Sequence, residues 1–359
     1  MTKIAIIGTT SWGITLAIML AQKGLQVNLW ARTEREASEL RDKGPNQGQF
    51  PDAVFPSQLI VTSHLGEALA DVKIVILVVP SQSMRQNIEL VAPHLAKSML
   101  IISASKGLET GTGKRMSQVI AEEIDSRFHS NICVLSGPNL AREIARNLPA
   151  ASVVASEDKG IAQKAQKILT TSNFRVFTNT DVTGVELGGA LKNIIALGAG
   201  ITDGLGYGDN AKAAFMTRGL TEITALGVAL GANPLTFSGL TGLGDVITTC
   251  TSPLSRNHYV GEQLAKGRQL TEIIDSMPEV AEGVTTTLVA RKIAQHLGLE
   301  MPITEKIYEV LYENVDPSQV ASGLMGGSAK HELAGRKWRL FSLFKRSRHS
   351  PPPSNPTAS

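Results

Sequence analysis

Short apolar segments, each ending in a polar or glycine-containing turn, are the feature that most constrains the fold of this chain. The first, Ile4–Ile7, is continuously apolar, which is typical of a strand buried on both faces of a parallel sheet. The turn Gly8-Thr9-Thr10-Ser11-Trp12-Gly13 follows, and a helical pattern then runs to Gly24. A second strand pattern covers Leu25–Trp30. This order of strand, turn, helix and strand predicts the first unit of a dinucleotide-binding α/β fold.

The turn departs from the usual glycine pattern at its second position, where Thr10 stands between Gly8 and Gly13. That position normally lets the backbone approach a pyrophosphate, so Thr10 either pushes the phosphate outward or donates its hydroxyl proton to it. Arg32 follows the second strand, with no acidic residue at the strand end. An arginine there suits the 2′-phosphate of NADP, so the sequence favours NADPH, with NADH tolerated. A plain tight turn and an exposed surface arginine are the alternatives.

Further strand patterns carry polar residues to the same edge of the predicted sheet. They are Leu59–Thr62, Lys73–Val79, Met99–Ser103 and Ile132–Leu135, and more β-α-β content runs to Phe177. Ligands bind at the carboxyl ends of such strands. Lys106 can meet a phosphate or a carbonyl oxygen there. Gly137 belongs to a tight turn that exposes N–H groups to an anion, and we expect Asn139 to cap the next helix.

Helical patterns replace strand patterns after residue 180. They cover residues 183–201, 211–230, 257–266, 285–297, 304–315 and 317–324. The first is a long apolar segment whose only charges are Glu186 and Lys192. Gly188 and Gly189, one turn before the lysine, allow another backbone or a ligand to approach. A buried lysine is unfavourable unless it is paired or lines a polar cavity, so Lys192 is a candidate catalytic residue. A lysine paired structurally with a carboxylate is the alternative.

Two loops of the second half contain polar residues suited to ligands. They are Gly239–Asp245 and Ser255–His258, and Pro278–Gly283 is a further acidic loop closed by glycine. Three glycines in the first free the backbone around Asp245. In the second, Ser255, Arg256 and Asn257 open a helix, where they can hold a phosphate together with the helix N-terminus. A helix cap with a solvent-facing arginine is the alternative, and His258 is interpreted as structural.

Composition narrows the class of protein. A length of 359 residues suggests two domains, and a net charge of +3 with 4% aromatic residues argues against a nucleic-acid partner. Cys133 and Cys250 lie outside any metal-ligand spacing, which predicts no metal site, reduced thiols and a cytoplasmic location. We expect no signal peptide and no transmembrane helix. The basic tail is interpreted as disordered, with contact to a membrane surface as the alternative.

Together these patterns predict an α/β N-terminal Rossmann-like dinucleotide-binding domain over residues 1–180, an all-α C-terminal substrate and catalytic domain over 181–330, and a tail over 331–359. Over about residues 1–330 the chain resembles the soluble bacterial-type NAD(P)-dependent glycerol-3-phosphate dehydrogenases. The matching blocks are Gly8 with Ser11-Trp12-Gly13, Ser105-Lys106-Gly107, Ser136-Gly137-Pro138, Val185-Glu186-Leu187 with Leu191-Lys192-Asn193, Gly242-Leu243-Gly244-Asp245, Ser255-Arg256-Asn257 and Val280-Ala281-Glu282-Gly283.

The resemblance implies a role for each matching residue. Lys192 matches the catalytic proton acceptor. The implied cofactor contacts are Gly8, Ser11, Trp12, Gly13, Arg32, Lys106, Ala141, Arg256, Val280 and Glu282. The implied substrate contacts are Lys106, Gly137, Asn139, Lys192, Asp245, Ser255, Arg256 and Asn257. The chain departs from the family pattern at Thr10, where glycine is usual, and at Asn139, where serine is common.

The implied reaction interconverts dihydroxyacetone phosphate and sn-glycerol 3-phosphate with NADPH or NADH, and it supplies glycerol 3-phosphate for glycerophospholipid synthesis. Lys192 would exchange a proton with the oxygen on the reacting carbon. The family also implies a homodimer. Two other functions stay open: a β-hydroxyacid dehydrogenase of the 6-phosphogluconate type, and a non-catalytic NADP-binding sensor.

Overall fold

The computed structural model describes residues 2–45, 50, 54–96 and 98–319. Its strands are β1 Lys3–Ile7, β2 Gln26–Trp30, β3 Leu59–Thr62, β4 Ile74–Leu77, β5 Leu100–Ser103, β6 Ile132–Ser136, β7 Ala150–Ala155 and β8 Phe174–Asn179. They form one sheet in the order β3-β2-β1-β4-β5-β6-β7-β8. Neighbouring strands are parallel, except that β6 and β7 are antiparallel. The predicted parallel-dominated sheet is confirmed.

A hydrophobic core covers each face of this sheet, because its central strands are apolar at successive residues. Along β1, Ile4 and Ile6 belong to one core cluster, whereas Ala5 and Ile7 belong to the other. All four side chains are fully buried. Successive residues of a strand point to opposite faces, so a continuous apolar run needs a core on each side.

Helices surround the sheet and then make up the second half of the chain. The first half contains α1 Ser11–Gln22, α2 Glu34–Lys43, α3 Leu65–Leu69, α4 Met84–Val91, α5 Met116–Glu123, α6 Ala141–Ala145 and α7 Lys159–Leu169. The second half contains α8 Val182–Gly204, α9 Gly208–Ala229, α10 Pro234–Phe237, α11 Asp245–Thr251, α12 Arg256–Ala265, α13 Leu270–Asp275, α14 Glu282–His296 and α15 Pro302–Tyr312. A helical C-terminal half is therefore confirmed.

The predicted helical patterns from 183 to 315 correspond to α8, α9, α12, α14 and α15. The short helices α10, α11 and α13 were not predicted, because too few residues separate their flanking turns for a periodic pattern to show. Residues 320–324 of the predicted helix 317–324, and the whole tail 331–359, lie outside the described residues. The domain boundaries at residues 180 and 330 stay predictions.

The central helix of the second half is α8, and α12 packs against it at glycine residues. A Cβ added to Gly261 on α12 would lie 1.9 Å from the carbonyl oxygen of Leu197. A Cβ added to Gly200 on α8 would lie 2.0 Å from the carbonyl oxygen of His258. Side chains at these positions would force the helices apart, so their close packing depends on glycine.

Among the described residues, α8 is also the helix that is long and apolar enough to cross a bilayer. Its most apolar window is 94% buried inside the protein. Other helices of the second half, not lipid, therefore cover its apolar surface, as they do for the core helix of a globular domain.

Replacing Gly261 with alanine should lower the free energy of unfolding by about 1–3 kcal/mol, because the added methyl group overpacks the contact between α8 and α12. Gly66→Ala in α3 is the matched control. The nearest atom to its added Cβ, His94 Cε1, is 4.0 Å away, and alanine is the better helix former, so stability should hold or rise slightly. Urea unfolding followed by circular dichroism measures both. Equal midpoints for Gly261→Ala and the wild type would contradict the close packing.

Candidate active site

The loops after β1, β2, β4, β5 and β6 lie at one edge of the sheet, because these strands run parallel. This carboxyl edge is where ligands bind in open α/β sheets. The predicted site residues on these loops, or at the start of the helix that follows, are Gly8, Ser11, Trp12, Gly13, Arg32, Lys106, Gly137, Asn139 and Ala141. The remaining predicted residues are Lys192, Asp245, Ser255, Arg256, Asn257, Val280 and Glu282, all from the helical half.

The first turn is shaped by its two glycines and by Thr10. Gly8 has a φ of +112°, and a Cβ there would lie 2.5 Å from the carbonyl oxygen of Val78. A Cβ on Gly13 would lie 2.2 Å from the carbonyl oxygen of Gly8. The Thr10 hydroxyl accepts from the Gly13 N–H at 3.1 Å and donates to Val78 O at 3.0 Å. Thr10 is thus the N-cap of α1. Its proton is donated to Val78 O in this structure, so Thr10 stabilises the turn itself, and a hydrogen bond from its hydroxyl to a phosphate stays a prediction.

A carboxylate lies on the N-terminus of α1. Glu279 Oε1 accepts from the Ser11 N–H at 2.8 Å and from the Ser11 hydroxyl at 2.6 Å. Arg256 Nη1 lies 2.8 Å from Glu279 Oε2. A helix N-terminus and a guanidinium together form a site for an anion, and here the anion is the protein's own side chain. The N-terminus of α1 therefore holds an anionic group in this structure.

A second carboxylate of the same loop binds the end of β4. Glu282 is the first residue of α14, and its Oε1 accepts from the Ser81 N–H at 2.8 Å. Its Oε2 accepts from the Ser81 hydroxyl. Burial raises the pKa of Glu282, although the hydrogen bonds from Ser81 oppose this shift. The loop Pro278–Gly283 is therefore attached to the sheet edge at two places, Ser11 and Ser81.

Two lysines share one buried carboxylate at the centre of the site. Lys192 Nζ lies 2.6 Å from Asp245 Oδ1, and Lys106 Nζ lies 2.6 Å from Asp245 Oδ2. Asp245 is 1% exposed and Lys192 is 7% exposed, so this cluster is largely removed from water. Lys106 Nζ also donates to the carbonyl oxygen of Gly137 at 2.7 Å. The Thr249 hydroxyl accepts from Lys192 and donates to Asp245 Oδ1 at 3.2 Å.

The cluster has two positive groups and one negative group when all three are ionised. Burial lowers the pKa of Lys106 to about 8, against the opposing attraction of Asp245, and the charge of Lys192 lowers it further. An excess positive charge in a poorly hydrated site attracts an anionic ligand and stabilises an oxyanion. The alternative of a simple structural pair does not explain why one carboxylate serves two lysines.

Two glycines of α8 and an irregular turn before α11 bring Asp245 and the end of β6 close to α8. A Cβ on Gly188 would lie 2.6 Å from the carbonyl oxygen of Thr241, so α8 contacts the backbone of Leu240–Gly244 directly. That segment is a π-helical turn, and Asp245 follows it as the first residue of α11. A Cβ on Gly189 would lie 2.3 Å from Ser136 Oγ at the end of β6. Both glycines thus allow protein, rather than a ligand, to approach α8 one turn before Lys192.

In the Ser-Arg-Asn segment, two side chains anchor the backbone and the third, Arg256, is half-exposed and paired with Glu279. The Ser255 hydroxyl caps α12 by accepting from the His258 N–H at 3.2 Å. Asn257 accepts from the Gly283 N–H at 2.9 Å and donates to Asn193 Oδ1 at 3.0 Å. Of the three residues, Arg256 is the one with a charged side chain, and it can pair with an anion. His258 lies 2.8 Å from Asp203, as expected of a structural histidine.

Asn139 does not cap the next helix, so that prediction is wrong. The N-cap of α6 is Leu140, and it has no side-chain hydrogen bond. Asn139 instead donates from Nδ2 to Ser152 Oγ at 3.1 Å, and Ser152 Oγ donates to the carbonyl oxygen of Ser136 at 2.9 Å. This network leads from β7 to the turn at Gly137, whose φ of +143° favours glycine.

The other predicted cofactor residues lie around the first turn. Ala141 opens α6, and its carbonyl oxygen accepts from the Thr15 hydroxyl on α1 at 3.2 Å. The Trp12 ring lies 6.1 Å from the Phe174 ring, measured between centroids. Arg32 is exposed just beyond β2, and Val280 is 49% exposed beside Glu279.

Sequence reasoning missed Thr249 and Glu279 as site residues. Thr249 lies four residues after Asp245 on α11, a spacing that places both side chains on one helix face, so the signal was available. Glu279 had no comparable signal, because its contacts with Ser11 and Arg256 depend on the tertiary fold. No group of three His, Cys, Asp or Glu side chains within the described parts of the chain could hold a metal ion.

Comparisons with known proteins agree with this arrangement. Residues 3–162 match the family model for the NAD-dependent glycerol-3-phosphate dehydrogenase N-terminus, and residues 181–322 match the model for its C-terminus. A glycerol-3-phosphate dehydrogenase [NAD(P)+] from Dehalococcoides mccartyi is 61% identical over 349 residues, covering 97% of each chain. One from Shouchella clausii is 46% identical over 93% of this chain and 98% of its own. The crystal structure of glycerol-3-phosphate dehydrogenase from Coxiella burnetii has a TM-score of 0.85 and 36% identity, covering 91% of this chain and 99% of that one.

The lowered pKa of Lys106 predicts a pH-dependent contribution to stability. Between pH 8 and the usual lysine value of 10.5, the unfolded chain binds a proton that the folded protein has released. Stability due to this group therefore rises with pH across that window, by up to about 3 kcal/mol. Urea unfolding at several pH values measures the free energy of unfolding of the wild type and of Lys106→Met. The wild-type value minus the variant value should increase from pH 8 to pH 10.5. Lys266→Met, which removes an exposed lysine of the same helical half, is measured in parallel as the control. A falling difference for Lys106→Met would contradict the assignment.

Proposed function

The chain belongs to the NAD-dependent glycerol-3-phosphate dehydrogenase family, and we propose from the site geometry which of its residues carry the reaction. It is an oxidoreductase that interconverts dihydroxyacetone phosphate and sn-glycerol 3-phosphate with NAD(P)H. When bound, the reduced nicotinamide supplies the two electrons and the hydrogen that C2 of the substrate receives. The C2 oxygen takes up a proton in that direction and loses one in the reverse direction. The observation that carries the proposal is the Asp245 carboxylate shared by two lysines.

Lys192 is the proposed proton donor and acceptor. An ammonium group has three protons, and the Lys192 ammonium has two hydrogen-bond partners among the described residues, Asp245 and Thr249. The third N–H is available for the C2 oxygen of a substrate. Asp245 and Thr249 keep Nζ in one position, which general acid–base catalysis requires.

Lys106 and Asp245 are proposed to position and polarise the substrate. Lys106 is tied to the Gly137 carbonyl oxygen and to Asp245, so its charge stays beside Lys192. Two ammonium groups against one carboxylate favour the negative charge that develops on the C2 oxygen. Gly137, Asn139, Ser255 and Asn257 are proposed as further substrate contacts.

Arg256 is proposed to bind the substrate phosphate. Its guanidinium is 47% exposed and is paired with Glu279, so an incoming phosphate must compete with that carboxylate. Glu279 contacts the guanidinium through Oε2, whereas a phosphate carries more charge and can accept two guanidinium N–H bonds, which makes the exchange favourable. Arg256 is also proposed to lie near the cofactor, because Glu279 links it to Ser11.

The cofactor is proposed to bind at the first turn. Gly8 and Gly13 shape that turn, and the contact of Ser11 with Glu279 supports the proposal, because the Ser11 N–H donates to an anionic group there. The other residues proposed to contact the cofactor are Trp12, Arg32, Lys106, Ala141, Val280 and Glu282. Glu279 would have to leave Ser11 when a pyrophosphate binds there.

The comparisons support neither the β-hydroxyacid dehydrogenase nor the non-catalytic sensor, since both family models that match this chain, and its curated relatives, are named for glycerol-3-phosphate dehydrogenase. We further propose that the protein is a cytoplasmic homodimer that supplies glycerol 3-phosphate for glycerophospholipid synthesis. Membrane contact through the basic tail stays a prediction, because the tail lies outside the described residues.

Lys192→Ala should lower turnover by roughly 100-fold or more, because it removes the proposed acid–base group. Cofactor binding, measured by titration without substrate, should stay nearly unchanged. The control is Lys266→Ala, a 52%-exposed lysine of the same helical half, which should leave turnover unaffected. Near-normal turnover in Lys192→Ala would refute the assignment.

Arg256→Ala should raise KM for dihydroxyacetone phosphate by roughly 10–100-fold, the range expected for one lost charge-assisted contact. Reduction of unphosphorylated dihydroxyacetone should change little. Glu279→Gln is the matched control, because it releases Arg256 from its ion pair and keeps the guanidinium. That variant should not raise KM for the phosphorylated substrate. Equal losses on both substrates in Arg256→Ala would argue against a phosphate contact.

A further inference from the structure

Glu36 on α2 places a carboxylate between the first turn and the end of β2. Its Oε2 accepts from the Arg32 backbone N–H at 3.2 Å. Its Oε1 accepts from the hydroxyl of Thr9, 27 residues away in the chain. A glutamate in the first turn of a helix often binds the backbone just before that helix. Capping does not account for the contact with Thr9, which ties the carboxylate to the proposed cofactor turn.

This is the place where a dinucleotide-binding fold recognises the ribose of the adenosine half. In such folds an acidic residue about 20 positions after the glycine turn accepts a hydrogen bond from the ribose 2′-hydroxyl of NAD. The sequence shows no acidic residue at the end of β2, because Glu36 lies in the following helix. The chain reverses direction between β2 and α2, and this returns the Glu36 side chain to the strand end.

Arg32 stands at the same point with the opposite charge. It lies two residues after the end of β2 and is exposed, so its guanidinium can meet a 2′-phosphate. That phosphate carries a charge of about −1.5 to −2 at neutral pH, which the carboxylate of Glu36 repels. The two residues therefore act in opposite directions on the choice between NADH and NADPH.

We propose that Glu36 is a cofactor-specificity residue that favours NADH over NADPH and offsets the preference contributed by Arg32. Its carboxylate accepts the 2′-hydroxyl of NADH, and the contacts with Thr9 and Arg32 N hold it in position for that bond. The inference rests on the proposed cofactor site at the first turn. It revises the expectation of an NADPH preference, which considered Arg32 alone.

Titrating the protein with NADH and with NADPH, without substrate, tests this proposal. The fluorescence of the reduced nicotinamide reports binding. Glu36→Gln should raise the ratio of Kd for NADH to Kd for NADPH at least ten-fold, because NADH loses a charged acceptor and NADPH loses a repulsion. Glu36→Ser, which leaves more room for a phosphate, should shift the ratio the same way. Arg32→Ala should shift it in the opposite direction. The ratio of kcat/KM with dihydroxyacetone phosphate should follow.

Glu39→Gln is the matched control. Glu39 lies on the same helix, 3.3 Å from Arg35, and both side chains are largely exposed. Its removal changes the net charge equally and should leave the Kd ratio within two-fold. An unchanged ratio in both Glu36 variants would overturn the proposal. So would an equal loss of both cofactors, which would mean that Glu36 only supports the turn. Wild-type protein that bound neither cofactor would refute the proposed cofactor site itself.

Discussion

The carboxylate of Asp245, held between the ammonium groups of Lys106 and Lys192, is the interaction on which the site depends. These three residues come from the loop after β5, from α8 and from the start of α11, so the cluster joins the sheet to the helical half. Burial of one such charge without partners would be strongly unfavourable. Their mutual pairing lowers the free-energy cost of burying them, and the remaining positive charge favours an anion beside the cluster.

Close packing around α8 brings the residues of the site together. Gly188 lets the backbone of Thr241 contact the helix, and this fixes the π-helical turn from which Asp245 projects. Gly189 does the same at the end of β6. On the far part of the helix, Gly200 and Gly261 bring α12 close, and α12 begins with Arg256. The positions of Lys192, Asp245 and Arg256 therefore depend on glycines at the contacts between α8 and its neighbours.

Carboxylates at the sheet edge occupy donors that an anionic cofactor would use. Glu279 binds Ser11 and Arg256, Glu282 binds Ser81, and Glu36 binds Thr9 and the backbone of Arg32. Their roles differ by position. Glu279 lies on a helix N-terminus, where a pyrophosphate would replace it, whereas Glu36 lies where a neutral hydroxyl is accepted and a phosphate is repelled. In the proposed cofactor site, these two carboxylates therefore favour different groups of a dinucleotide.

The sequence by itself determined the class of the fold and indicated most residues of the proposed site. Continuous apolar runs require strands with a core on each face, parallel strands bring their following loops to one edge, and an apolar helix with one lysine needs a partner for it. It did not determine the contacts of Glu36, Glu279, Thr10 or Asn139. A side chain's hydrogen-bond partners depend on which distant backbone lies within about 3 Å, and local patterns carry no information on that distance. Only the tertiary structure brought Glu36 back to the end of β2 and placed Asp245 between two lysines.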